Sequence, residues 1–285
     1  MDVPPAESVT PWWGTYTLEE DEGGQWEIGP STVWLYRSAR DWRVIHRPST
    51  AATSTDPMEH RSRVTVPVPP AEMDEVLHAD EPDWKTDRYS VRRTAAQVTL
   101  APALADRPVV SRPEHPLHVP PGESVTLYLS TALWVRVVLP DRDGWLHEMP
   151  SHRMSDTWFG ASTREGTLCY ATRTAGRLQL DKLPLRLHRA VTPLHVRNRA
   201  AEALDLERVQ LPAPHLSLYR APSDTLWTNA VSMRHTTAGE GATVTVDEGP
   251  PSAVPEAERV QPPREPNRKG LFTSTFGAFG ALFGP

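Results

Sequence analysis

The chain has 285 residues, a formal net charge of −6 and a pI near 6.0, a balance that argues against general nucleic-acid binding. One cysteine, Cys169, excludes a disulfide framework, and 30 prolines beside 16 glycines favour short strands and turns over long helices. No apolar run approaches the length of a membrane span, and Met1–Thr10 lacks the basic start and apolar core of a signal peptide, so a cytoplasmic location is expected.

In chain order, Pro11-Trp12-Trp13-Gly14 opens the ordered part, and Trp13–Leu18 reads as a strand. A turn at Asp21–Gly24 leads to Trp26 and Ile28. Val33–Tyr36 and Trp42–His46 flank the short polar connection Ser38-Ala39-Arg40-Asp41, which predicts a hairpin. Trp12, Trp13, Trp26, Trp34 and Trp42, with Trp84 a sixth, crowd this first part. Such residues build a core or an interface more often than a stacking platform for a sugar or base. Val64–Val68 is a short edge strand because of Pro67. Pro70–His78 allows one short helix with Glu72, Asp74 and Glu75 near its N-terminus. Asp80–Asp87 reads as polar linker, and Tyr89–Leu100 returns to strand.

The stretch from Arg107 to Leu187 carries the clearest patterning. After the turn at Pro120-Pro121-Gly122, Val125, Leu127 and Leu129 alternate with Thr126, Tyr128 and Ser130, the period of a half-buried strand. A break at Ser130-Thr131 precedes a second run, Leu133 to Leu139, so the pair predicts a hairpin or a corner where the chain changes sheet. Ser155-Asp156-Thr157-Trp158-Phe159-Gly160 reads as a functional loop, since it joins two aromatics to small polar residues. The plainer alternative is that Trp158 and Phe159 plug the end of a sandwich. Thr167–Leu180 is another strand, with a possible break at Gly176.

Ala190–Arg199 contains a strand around Leu194 and Val196, and Leu211–His215 marks a bend. Short strands follow at Leu216–Leu218, Leu226–Thr228 and Thr243–Val246, a spacing that suggests an antiparallel sandwich. Asp247–Asn267, rich in Pro, Glu and Arg, is expected to be extended or disordered. The last segment places Leu271, Phe272, Phe276, Phe279, Leu282 and Phe283 at mostly i, i+3/i+4 spacing. It is too short to span a bilayer and suits docking in a groove or on a lipid surface. Burying one such side chain contributes roughly 1.5–3 kcal/mol, so three or four anchors suffice for specific docking on a partner or a neighbouring copy.

Charge is uneven. Residues 1–30 carry seven carboxylates and no Lys or Arg, whereas residues 153–199 carry nine basic groups against three acidic ones. The basic stretch suits an acidic partner, an anionic ligand or the inner membrane surface, although alternating arginines are also the ordinary solvated face of a sheet. His115-Pro116-Leu117-His118, with His147-Glu148 and His152 downstream, matches no metal-ligand spacing. There is no phosphate-cradling glycine loop and no nucleophile elbow. Neither a cofactor nor a catalytic set is expected, and Cys169 is simplest as a small buried hydrophobe.

RPVVSRPEHPLHVPPGESVTLYLSTALWVRV, SDTWFGASTREGTLCYATRT, HRAVTPLHVRN and LERVQLPAPHLSLY, together with WWGTYTL and VWLYRSARDWRV near the N-terminus, resemble the uncharacterised family called domain of unknown function 432, of archaea and bacteria. That family assigns no activity and no catalytic residues. The resemblance implies a soluble accessory subunit accompanying mechanosensitive-type channels.

The expected architecture is all-β. Residues 1–104 form a Trp-rich antiparallel sheet packed with a β-sandwich over 105–247, and 248–285 form a flexible arm with an apolar tail. The expected function is a non-enzymatic accessory subunit docking onto a larger protein assembly, such as a membrane channel, with no transmembrane segment of its own. Its contacts are Leu271, Phe272, Phe276, Phe279, Leu282 and Phe283 of the tail, Trp158 and Phe159, and Arg173 and Arg177 of the basic face. The alternative is an enzyme or a small-ligand or metal-binding β-sandwich using His115, His118, His147 and the Asp156–Phe159 loop.

Overall fold

A computed structural model describes residues 10–47, 62–160, 164, 166–236, 242–266 and 271–274, the last four and residue 173 by backbone alone. It is built of strands with one α-helix among the described residues. The chain begins with β1 (Gly14–Thr17), β2 (Glu22–Ile28), β3 (Ser31–Arg37), β4 (Asp41–Arg47) and β5 (Ser62–Thr65). Then come α1 (Pro70–His78), β6 (Lys85–Ser90) and β7 (Gln97–Ala103). Next are β8 (Val109–Pro113), β9 (Leu117–Val119) and β10 (Ser124–Ala132), followed by β11 (Trp134–Val138) and β12 (His147–Pro150). The remainder supplies β13 (Ser155–Phe159), β14 (Thr167–Gly176), β15 (Arg189–Asn198), β16 (Leu204–Leu206), β17 (Val209–Leu211) and β18 (Leu218–Arg220). It ends with β19 (Leu226–Thr228), β20 (Val231–His235), β21 (Ala242–Val246), β22 (Glu258–Gln261) and β23 (Leu271–Ser274).

The contacts divide the chain into two compact units, and the chain passes between them more than once. One unit takes residues 1–102 and 134–153; the other takes 103–133 and 154–285. The first passage falls between Pro102 and Ala103. The break expected at Ser130-Thr131 falls at Leu133, and the return for 134–153 follows from it: β10 pairs with β15, whereas β11 pairs with β12 in a different sheet. The sequence left a hairpin or a sheet-changing corner open here, and the corner is what forms.

In the first unit, β5-β2-β3-β4-β6 make one sheet and β1-β7-β11-β12 another. The predicted hairpin is present as β3 and β4, with Trp34 opposite Ile45 and Leu35 opposite Val44. Trp12, Trp26, Trp34 and Trp42 are all buried, so they form core and leave no platform for a ligand to stack upon. Trp84 stacks on Trp34 with centroids 4.8 Å apart. The helix forms where Pro70 at its start and Glu72 in its first turn favour it. It sets Met73 and Val76 against Trp34, Ile45 and Val68. Gly23 makes that approach possible, because a Cβ there would collide with the Met73 sulfur. The expected polar linker is shorter than predicted: β6 begins at Lys85 and pairs with β4.

In the second unit the largest sheet has eight strands in the order β22-β18-β19-β15-β20-β21-β23, with β10 on β15 as well. Two smaller sheets, β13-β14-β8-β17 and β16-β9, complete the unit. The expected antiparallel arrangement needs correction. β14 runs parallel to β8, and β15 runs parallel to both β19 and β20. Parallel pairing needs a long connection, here the chain from Arg199 to Thr225 before β19.

Asn229 holds the break between β19 and β20. Its carbonyl accepts the Ser217 N–H at 2.7 Å, and its amide donates to Tyr219 Oη and to the carbonyls of Asp247 and Gly249. A second buried amide, Asn198, donates to the carbonyls of Val119 and Glu202. Both satisfy backbone groups that a sheet end would otherwise leave unpaired.

Residues 247–266 are not a disordered linker. β22 pairs with β18, Ala257 is buried, and Val254 packs on the cluster of Tyr219, Trp227, Val191 and Leu183. The Arg264 guanidinium donates to the Leu104 carbonyl at 2.6 Å. Proline and charge in this segment lower its local preference for a strand, but β18 offers an unpaired edge that its backbone can satisfy.

Candidate functional site

The predicted loop around Trp158 is a strand. Ser155–Phe159 pairs with β14, so side chains alternate between the two faces of the sheet. Trp158 is 45% exposed, and Phe159 packs with Val110 and Cys169. Only one of the two aromatics is therefore available at a surface. Asp156 pairs with Arg107 at 3.3 Å. Burial pushes the Cys169 thiol up from its ordinary value, although Gln210 donates to the sulfur, which leaves it a poor nucleophile at neutral pH.

The histidines of the alternative reading have separate partners. His118 Nδ1 lies 2.5 Å from Asp205, across the β9–β16 pair. His115 lines a small groove of 240 Å³ with Glu114, Arg177 and Lys182. His147 belongs to the first unit, where its Nδ1 lies 2.6 Å from the Tyr89 hydroxyl. Burial lowers its pKa, as it does that of buried His46, which falls to about 4 with His147 and Lys85 adding to the shift. Among the described residues no three His, Cys, Asp or Glu side chains are grouped to hold a metal ion.

The basic residues fall differently from the prediction. Arg177 is ion-paired to Glu114, and its backbone bridges Tyr128. The side chain of Arg173 lies outside the described residues. The exposed basic face is instead built by β15 and β20. Along β15, His195, Arg197 and Arg199 are exposed at every second position, in the strand or just past its end, while Leu194, Val196 and Asn198 are buried. Registers with neighbouring strands extend this pattern into two polar rows. Ser124, Arg197, Arg234 and Thr243 stand side by side on β10, β15, β20 and β21, and Thr126, His195, Ser232 and Thr245 form the next row.

These rows line an open groove of about 680 Å³, with Thr236 at its end. Among the described residues no carboxylate lines it. Asp247, bonded to the Ser232 hydroxyl at 3.1 Å, stands one row further along, opposite Ala230. Among the described residues Arg197, Arg199 and Arg234 make no ion pair. His195 Nδ1 lies 3.0 Å from the Thr126 hydroxyl.

The run of basic residues in 153–199 hinted at Arg197 and Arg199. Arg234 was missed, since nothing local reveals that β20 lies beside β15. Of the tail, Leu271–Ser274 forms β23 at the edge of this same sheet, with Thr273 opposite Thr243 and Phe272 opposite Val244. An edge strand there departs from the helical spacing read in the sequence. Phe276, Phe279, Leu282 and Phe283 lie outside the described residues.

Fold and site together define an all-β protein of two units whose largest sheet presents a basic face with no ion pair to Arg197, Arg199 or Arg234 among the described residues. No described helix is long and apolar enough to cross a membrane. The chain belongs to the family described as protein of unknown function (DUF432), whose model matches residues 12–280. No curated relative and no solved structure matches it.

Proposed function

We propose that this protein is a non-enzymatic accessory module that docks onto a larger assembly through the basic face of its eight-stranded sheet and the apolar segment that leaves the same sheet at β23. The observation that carries this reading is the row of adjacent Arg197 and Arg234, without an ion pair among the described residues, on the sheet whose edge strand is the Leu271–Ser274 segment. Like charges side by side on a sheet repel, and a partner of opposite sign relieves that repulsion while the apolar segment adds buried area. A membrane channel in the cytoplasmic membrane is the assembly that the family resemblance suggests, with the basic face close to the inner membrane surface.

The test is affinity recovery from the native host with three baits: the full chain, a chain ending at residue 274, and an R197Q/R234Q chain. The expected result is a specific membrane-protein partner with the full chain, and reduced recovery with both altered baits at unchanged melting temperature. Equal recovery with all three overturns the reading.

A further inference from the structure

We propose that the groove across β10, β15, β20 and β21 is a binding site for a phosphate-type oxyanion, held by the side-by-side guanidinium groups of Arg197 and Arg234 with His195 and the surrounding hydroxyls. This site is a property of the chain itself and stands whether or not the docking reading does.

The sheet builds it through register. β15 and β20 run parallel, so Arg197 meets Arg234 directly, and His195 meets Ser232 two residues before. β10 and β21 flank them with Ser124 and Thr126 on one side and Thr243 and Thr245 on the other. The opposite face of the same strands is apolar and buried at Leu194, Val196, Val231, Met233 and Val244. The alternation that packs the core therefore also fixes which side chains face the groove.

The donor inventory selects the ligand class. Each guanidinium offers five N–H donors in a planar fork that matches oxyanion geometry. The Thr126 hydroxyl braces His195 at Nδ1, which leaves its Nε2 uncommitted among the described residues. The Ser232 and Thr245 hydroxyls already donate to Asp247 and to the Ser232 carbonyl, so the neutral donors added are the hydroxyls of Ser124 and Thr243. A carboxylate offers two oxygens, too few for this set. A phosphate monoester brings three acceptor oxygens and a charge near −2, which balances the two arginines. With no carboxylate among the described residues of the lining, nothing described there favours a cation. The groove, at about 680 Å³, is larger than a phosphate alone requires and admits the organic part of a phosphorylated ligand.

The shared chemistry is the phosphate group, and its source is either a free phosphorylated molecule or a phospholipid headgroup. The experiment titrates inorganic phosphate into the purified full chain and follows backbone amide shifts at residues 195–197 and 232–234, at fixed ionic strength. A second arm measures co-sedimentation with phosphatidylcholine vesicles with and without phosphatidic acid. The expected result is saturable shifts confined to the groove, weakened roughly tenfold or more by R197Q or by R234Q. R220Q, on the same sheet but paired with Glu258, leaves binding unchanged.

Weaker binding by R197K/R234K, which keeps the charge and loses the fork, confirms a built site. Binding to phosphatidic acid vesicles without a response to free phosphate assigns the headgroup as the source. An equal response to acetate, equal binding by the lysine variant, or no response in either arm overturns the proposal.

Discussion

The arginines around Asp41 and Glu148 in the first unit and those on the exposed face of the eight-stranded sheet are placed on opposite principles. The former serve the fold. Arg136 is buried, bonded to Glu148 at 2.6 Å, and lies over the exposed Trp145 ring, 4.0 Å from its centroid. Arg88 and Arg43 both pair with the buried Asp41. Burial alone would raise the Asp41 carboxyl, but hydrogen bonds from Arg88 and Ser38 outweigh it and hold the group below the usual carboxylate range. In the eight-stranded sheet Arg197, Arg199 and Arg234 are exposed and make no ion pair among the described residues. A paired arginine is bound into the structure, whereas an unpaired row on a sheet face has its donors available to something else.

That difference is broken most severely at Arg136. Removing the guanidinium of this buried pair takes away its bond to Glu148, so Arg136→Met should destabilise the protein by about 3 kcal/mol in guanidinium unfolding. It should also alter Trp145 fluorescence. An unchanged unfolding midpoint would show that the pair adds nothing to stability.

Acidification separates the units by a second route. The His46 pKa is about 4 in the fold against 6.5 for the free side chain, so the unfolded chain takes up this proton first. Stability from this group is fully present above pH 6.5 and is lost as pH falls towards about 4, with no further loss below. The total is of the order of 3 kcal/mol, and the depressed His147 adds to the loss in the same direction. Urea unfolding at stepped pH checks this, and His46→Leu should flatten the profile over that window.

The smallest effect on stability is expected at the other pole of the comparison. R197Q/R234Q should change unfolding free energy by no more than about 0.5 kcal/mol, since both side chains are exposed and unpaired. A slight gain is in keeping with relief of like-charge repulsion. A large loss would mean that these arginines hold the sheet together, and would end the distinction drawn above.

Much of the fold was legible in local pattern. Period-two alternation marked β10, strand-forming residues on both sides of a short polar connection marked β3 and β4, Leu194 and Val196 marked β15, and the short helix at Pro70 was readable from its proline and its acids. The strand at Ser155–Phe159 was not, because small polar residues mask its alternation and only pairing with β14 settles it. Nor was β22, whose Pro- and charge-rich surroundings say disorder until the β18 edge satisfies its backbone.

The candidate site divides along the same line. The sequence by itself determined that His195, Arg197 and Arg199 would share one face, since a strand turns successive side chains to opposite sides. Only the tertiary structure decided that Arg234 would join them. It lies 37 positions beyond Arg197 and reaches it through parallel pairing after a long connection. Strand partners and register are set by what the whole sheet buries, at Val196, Met233 and Val244 on the hidden face, and no local window contains that information.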